Sequence, residues 1–215
     1  ECDTEISKAA ELNIRKNNKG NQIRVTNADV RKFTLPRGLV ADVVIMEMLD
    51  TWLIAEQQSS AIISLRKNVI INKQTTLLPD KVNRLLRVVK YDFNFYGFNL
   101  PIVVQARNYG ARPRIKTVYS KFHDFGTVEL HHLTSTRVGG TIDVEIQKVG
   151  KINAVELRSD ILMLGKQYVS TTDMNMPVIV PVKERAVSKG QILRFNISYV
   201  MGKGFSSLKI SQRAN

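Results

Sequence analysis

Glu47 and Glu56 stand nine residues apart, each inside an apolar run, with Met-Leu-Asp-Thr-Trp-Leu-Ile-Ala between them. Carboxylates rarely keep such company unless they are paired. The continuous run Val43-Val44-Ile45 predicts a buried parallel strand, because apolar residues follow one another instead of alternating. Glu47 then falls at the carboxyl end of that strand, where open α/β sheets place their ligands. Glu56 follows Trp52, Leu53, Ile54 and Ala55 and is expected on a helix. Two carboxylates brought together there suit a planar cation. Guanidinium is the best match, since it forms paired hydrogen bonds to carboxylates. Without that convergence the pair is a strand-end acid and a helix-surface glutamate.

Other chemistry is sparse. The single cysteine, Cys2, excludes an intrachain disulfide framework and fits a reducing interior. His123, His131 and His132 lack the Cys or acidic spacing of a zinc site, so no metal is expected. His131-His132 reads as part of a strand, with the two rings on opposite faces.

The elements that must position these residues fall into two patterns. Residues 4–18 read as a helix capped by Asp3 or Thr4, with Ile6, Ala9, Ala10 and Ile14 at helical spacing. A short strand is expected over 22–27, the next strand over 42–47, and a helix from Asp50 to about Arg66. Strand alternating with helix implies a parallel sheet. After Pro79 period-two alternation takes over. Strands are expected over 82–95, 115–119, 141–146, 154–162, 178–182 and 192–200. Gly139-Gly140, Lys148-Val149-Gly150, Ser188-Lys189-Gly190 and Gly202-Lys203-Gly204 read as hairpin turns. The expected fold is α/β followed by β, with a boundary near residue 80. Residues 1–80 form part of a Rossmann-like sheet, and 81–215 an antiparallel barrel-like or sandwich domain.

The stretch carrying the two glutamates resembles the double-glutamate loop of the protein arginine methyltransferases. Further marks follow in family order. Glu1-Cys2 resembles the strand end whose acid holds a ribose, and Asn27-Ala28-Asp29 resembles the adenine-edge motif. Leu78-Pro79-Asp80 resembles the strand closing the cofactor domain, and Tyr96-Gly97-Phe98-Asn99 the turn that enters the β-barrel. The likeness is concentrated in residues 1–100. It implies a class I methyltransferase using S-adenosylmethionine. On that basis Glu1 binds the ribose diol, Cys2 lies under the adenine, and Ala28 and Asp29 meet the adenine edge. Glu47 and Glu56 hold the substrate guanidinium. Read from its residues alone, the alternative for Asp29 is a turn or helix-cap acid. The glycine-rich cofactor turn of the family is not in this chain. The resemblance therefore implies about sixty or more residues ahead of residue 1, from ordinary strand–helix unit lengths.

Two features depart from the family. Asp50 adds a third carboxylate between the two glutamates, and Asp173-Met174-Asn175-Met176 stands where a threonine-histidine-tryptophan loop is expected. Charge is also uneven. Residues 1–80 carry 11 Lys and Arg against 10 Asp and Glu, whereas 81–215 carry 21 against 9, and so hold nearly all of the net +13. Arg107, Arg112, Arg114, Lys116 and Lys121, with Tyr109 and Tyr119 among them, form the densest basic stretch. Such a surface attracts polyanions and repels Arg-rich segments; a solvated basic face is its plainer reading.

Three functions follow: methylation of protein arginine, methylation of another acceptor such as RNA or a ribonucleoprotein component, or a non-catalytic scaffold. A cytoplasmic, membrane-free protein is expected. An arm within 94–121 would serve a homodimer.

Overall fold

A computed structural model of the chain describes residues 1–105, 114–170 and 176–212. Packing divides it into two compact units, Glu1–Val44 with Ser60–Thr76, and Ile45–Ser59 with Leu77–Asn215. Glu47 and Glu56 thus belong with the β-rich unit, and Glu1, Cys2, Ala28 and Asp29 with the other.

The chain begins with α1 (Thr4–Lys16), then β1 (Val43–Ile45), α2 (Gln58–Lys67) and β2 (Thr76–Leu78). The Asp3 carboxylate starts α1 by accepting the N–H groups of Glu5 and Ile6, both at 2.9 Å. Arg15 and Lys16 in its last turn suit the negative end of the helix dipole. The strand expected over 22–27 joins no ladder, and the Gln22 and Ile23 N–H groups donate to the Lys19 carbonyl in a turn. Its backbone meets the start of the chain instead, with the Ala28 N–H donating to the Glu1 carbonyl at 2.9 Å. β1 pairs with β2 in a two-stranded sheet. The burial expected of β1 is not seen, because Val43 and Ile45 are 54% and 76% exposed. Two strands bury little of each other's faces; a buried parallel strand needs neighbours and covering helices.

The helix expected from Asp50 is also different. Residues 51–53 form a single 3₁₀ turn, and α2 starts only at Gln58. Trp52 and Leu53 have φ of +63° and +58°, a left-handed conformation that ends any α-helix there. Glu56 therefore sits on a loop.

The rest of the chain is sheet: β3 (Lys81–Tyr91), β4 (Asn94–Phe95), β5 (Phe98–Asn99), β6 (Val104–Gln105), β7 (Ile115–Val118), β8 (His123–Glu129) and β9 (Arg137–Glu145). These are followed by β10 (Gly150–Met163), β11 (Lys166–Ser170), β12 (Val178–Val187), β13 (Ile192–Val200) and β14 (Lys209–Gln212). One sheet runs β6-β12-β10-β3-β7, with β11 on β10 and β8 on β3, and a second runs β14-β13-β9. Alternate residues of these strands, among them Val82, Leu86, Leu157, Ile161, Phe195 and Ile197, are buried and form the core. Neither sheet closes among the described residues. β6 meets β12 at only two positions and β14 pairs on one side only, so the ladders stop at those edges.

Two local expectations are corrected. Gly139-Gly140 is not a turn but lies inside β9, where a Cβ on Gly140 would come within 3.2 Å of the Phe125 ring. The glycine there makes room for an aromatic neighbour. His131 and His132 lie on a 3₁₀ turn, Leu130–His132, rather than on a strand. Within the described residues no helix is long and apolar enough to cross a membrane.

Candidate active site

The loop from Glu47 to Glu56 is held by buried side chains between its ends. Trp52 is fully buried. Its backbone N–H donates to Ser159 Oγ at 2.8 Å, and its indole N–H donates to the carbonyls of Arg158 at 2.9 Å and Leu85 at 3.2 Å. Its carbonyl accepts from the Tyr199 hydroxyl at 2.9 Å, and its ring stacks on Phe125 with centroids 5.0 Å apart. Burial pushes the Tyr199 phenol above its ordinary pKa, while the nearby Arg84 guanidinium, donating to it at 3.2 Å, opposes that rise. Left-handed non-glycine residues cost on the order of 1–3 kcal/mol each. At Trp52 and Leu53 this set of contacts supplies the compensation.

Each glutamate has its own brace. The Gln58 amide spans the backbone on both sides of Glu47, donating from Nε2 to the Met46 carbonyl at 3.2 Å and accepting the Met48 N–H at 2.9 Å. Gln58 is fully buried and lies two residues beyond Glu56, so it ties the two feet of the loop together. The Asp50 carboxylate accepts the N–H groups of Ala55 at 2.8 Å and Glu56 at 3.3 Å. Burial raises its pKa to about 6, those N–H bonds pull it down, and the Glu56 charge adds to the rise. Gly202, at φ +76°, closes against the far foot. Its N–H donates to the Leu53 carbonyl at 3.0 Å, and a Cβ there would lie 3.2 Å from the Glu56 carbonyl.

The Glu47 and Glu56 side chains are exposed, and neither carries a hydrogen bond or ion pair within the described residues. Two acceptor groups thus stand free at the feet of a rigid loop. Sequence reasoning found both glutamates and the extra acid at Asp50. It missed Gln58, Ser159 and Tyr199, whose partners lie far along the chain. The segment expected to carry a histidine and tryptophan falls largely outside the described residues. Its last member, Met176, accepts a hydrogen bond from the Thr51 hydroxyl at 3.0 Å.

In the other unit the Glu1 and Ala28 backbones are joined by one hydrogen bond, and the Asn27 amide donates to the same Glu1 carbonyl at 3.2 Å. The Glu1 side chain accepts the Asp3 N–H through Oε1 at 2.8 Å, which lowers its pKa. The Cys2 backbone N–H and thiol also bear on this carboxylate, which as an ion retains acceptor capacity for a diol. Asp29 is more committed. Arg31 donates to both of its oxygens, at 2.6 Å to Oδ2 and 3.0 Å to Oδ1, and holds its pKa down near 2. The Arg31 N–H also bonds Oδ1, the geometry of a turn acid. Cys2 is exposed and in no disulfide among the described residues. The Glu1 carboxylate thus has the chemistry to accept from a diol, whereas both Asp29 oxygens are engaged by Arg31, so a second donor at Asp29 would have to share or displace that guanidinium.

No protein-family model matches the chain. It is 24% identical over 192 residues to an uncharacterized protein of Methanocaldococcus jannaschii, an alignment covering 89% of this chain and 68% of that protein. Its structure matches a chain of the Trypanosoma brucei PRMT1 enzyme–prozyme heterotetrameric complex with AdoHcy. The TM-score is 0.74 at 11% identity, over 99% of this chain and 78% of that one. The likeness defines the class: a mixed α/β, mostly sheet protein with an S-adenosylmethionine methyltransferase-like fold.

Proposed function

We propose that the protein is an S-adenosylmethionine-dependent methyltransferase whose acceptor is a guanidinium held by Glu47 and Glu56. The observation that carries this reading is the pair of free carboxylates at the feet of a loop fixed by Trp52, Gln58 and Asp50. The fold shared with the PRMT1 complex supports it.

S-adenosylmethionine, when bound, supplies an electrophilic methyl group. Glu1 would hold its ribose, with Cys2, Ala28 and Asp29 at the adenine side. Methyl transfer of this kind asks for in-line positioning more than for acid–base chemistry. Glu47 and Glu56 each accept N–H groups of the guanidinium and draw its positive charge toward themselves. The nitrogen left without a carboxylate keeps more of its lone pair and is the better nucleophile. Asp50 holds the Glu56 backbone and so orients one arm of the clamp.

The basic surplus of the β-rich unit favours a second acceptor class, an RNA or ribonucleoprotein component, on the same fold. A protein retained as a scaffold would bind no cofactor. Calorimetry of S-adenosylmethionine with the intact protein separates enzyme from scaffold. Micromolar binding that Glu1→Ala weakens at least tenfold is expected. Absence of binding to the wild type sinks the enzymatic reading.

A further inference from the structure

We infer that Lys121, Lys148, Lys151 and Lys189 form a docking surface for the phosphodiester backbone of a nucleic acid. The inference is independent of the methyl-transfer reading. These lysines come from three separate segments that backbone hydrogen bonds bring to one end of the β-rich unit. The Gln147 N–H donates to the Tyr119 carbonyl at 2.7 Å, which sets the turn carrying Lys148 beside the segment leading to Lys121. The Gly190 N–H donates to the Ile146 carbonyl at 2.7 Å and the Ile146 N–H to the Gln191 carbonyl at 2.9 Å, which sets the Lys189 turn against the same residues. Lys151 opens β10 directly across from Ala186, near the end of β12 that leads into that turn.

All four are exposed, and none joins an ion pair within the described residues. The acids of this unit are mostly spent elsewhere. Glu129, Glu156, Glu184, Asp92, Asp160 and Asp143 pair with Lys81, Arg87, Lys90, Lys116, Arg158 and Arg194. Glu145, across from Ile192 on β9, and Glu184, whose charge also acts on Lys151, partly offset the patch. His123 faces both Lys121 and Glu145, and burial lowers its pKa, so it adds little charge near neutral pH.

The chemistry of the patch selects its partner. All four groups are ammonium ions on flexible stems, which meet phosphates as point charges and without fixed geometry. Carboxylates of an acidic protein are held best by the planar fork of arginine, and no arginine belongs to this set. A membrane surface would need a cluster of apolar side chains to enter it, whereas the exposed apolar residues described beside these lysines, Val149 and Ile192, sit on separate turns.

The test is fluorescence anisotropy of the intact protein with a labelled twenty-residue oligouridylate between 50 and 200 mM KCl. Four lysine–phosphate contacts on a single strand predict a slope of log affinity against log salt of about −3. Lys121→Glu, Lys148→Glu, Lys151→Glu and Lys189→Glu together should lower affinity about 100-fold at 100 mM KCl and flatten that slope. The same charge change made by Lys8→Glu, Lys16→Glu, Lys19→Glu and Lys73→Glu should cost only a few-fold. Circular dichroism confirms that each variant is folded, and the pair Lys148→Glu with Lys189→Glu, expected to lose about tenfold, replaces the fourfold variant if that one does not fold. Equal losses in patch and control variants overturn the proposal, as does absence of wild-type binding. Equal or tighter binding to polyglutamate or to phosphatidylserine vesicles overturns it as well, since the surface would then serve another polyanion.

Discussion

At the scale of residues, three carboxylates within ten positions have been given different tasks by their surroundings. Glu47 and Glu56 are exposed and unengaged among the described residues, and the proposed clamp needs both charges. Glu47→Gln and Glu56→Gln should each lower kcat/KM for an arginine-containing peptide by about 10- to 100-fold, the worth of one charge-assisted hydrogen bond. A neutral nucleobase acceptor would be much less affected, so the ratio of the two losses reports the acceptor. Asp50 is buried and works on the backbone. Its pKa stands at about 6 in the folded chain against an ordinary 3.8, because burial penalises its ionised form. The folded state therefore binds the proton more tightly than the unfolded state. Stability should fall as pH rises from about 4 to about 6, by up to about 3 kcal/mol from this group, and level off above. Glu1 and Asp29, whose pKa values are lowered, act in the opposite direction as acid is added. The difference between wild type and Asp50→Asn in chemical denaturation at pH 4.5 and 7 isolates the Asp50 contribution. A difference that does not change between those pH values would refute it.

At the scale of elements, the loop between the glutamates is shaped by contacts from β3, β10 and β13 rather than by its own propensity. Met-Leu-Asp-Thr-Trp-Leu-Ile-Ala is apolar enough to continue as a helix. The left-handed turn at Trp52 and Leu53 wins because the Trp52 N–H, C=O and indole N–H all find partners within the sheet. Ser159→Ala leaves a fully buried N–H without that acceptor. It should cost about 1–3 kcal/mol and lower Tm by several degrees. Guanidinium binding should weaken with it, since the clamp loses its anchor. A thermal scan together with titration by an arginine peptide checks both effects.

At the scale of the whole molecule, one short hairpin presents an unusual surface. β4 and β5 pair across Tyr96 and Gly97, both at positive φ, and Tyr96 is fully exposed while Phe98 is 69% exposed. Leu100 and Ile102 beyond it are 44% and 55% exposed. Contiguous exposed apolar residues mark contact surfaces. They lie where an arm serving a homodimer is expected. Light scattering should show a dimer for the wild type and a shift toward monomer for Tyr96→Ser with Phe98→Ser. A wild type that is monomeric at 100 μM would remove this role.

The sequence by itself determined much of the second half. Period-two alternation located β13, where one face is buried, and the apolar, β-branched runs between turn residues located β3, β10 and β12, of which β10 and β12 bury consecutive residues. It also placed Glu47, Glu56 and Asp50 within one short segment, since residue type and spacing are local properties. It could not place Glu56 on a loop or exchange the Gly139-Gly140 turn for a strand beside Phe125, because Ser159, Tyr199 and Phe125 make those contacts from remote positions. The basic stretch read along the chain is described only in part. Arg107, Tyr109 and Arg112 lie outside the described residues, Lys116 is paired with Asp92, and Arg114 packs over Phe95. The unpaired lysines meet only when three turns are hydrogen-bonded together. Burial, pairing and the neighbours of a charge are properties of the tertiary structure, and these decided which carboxylates and which lysines are free to meet a partner.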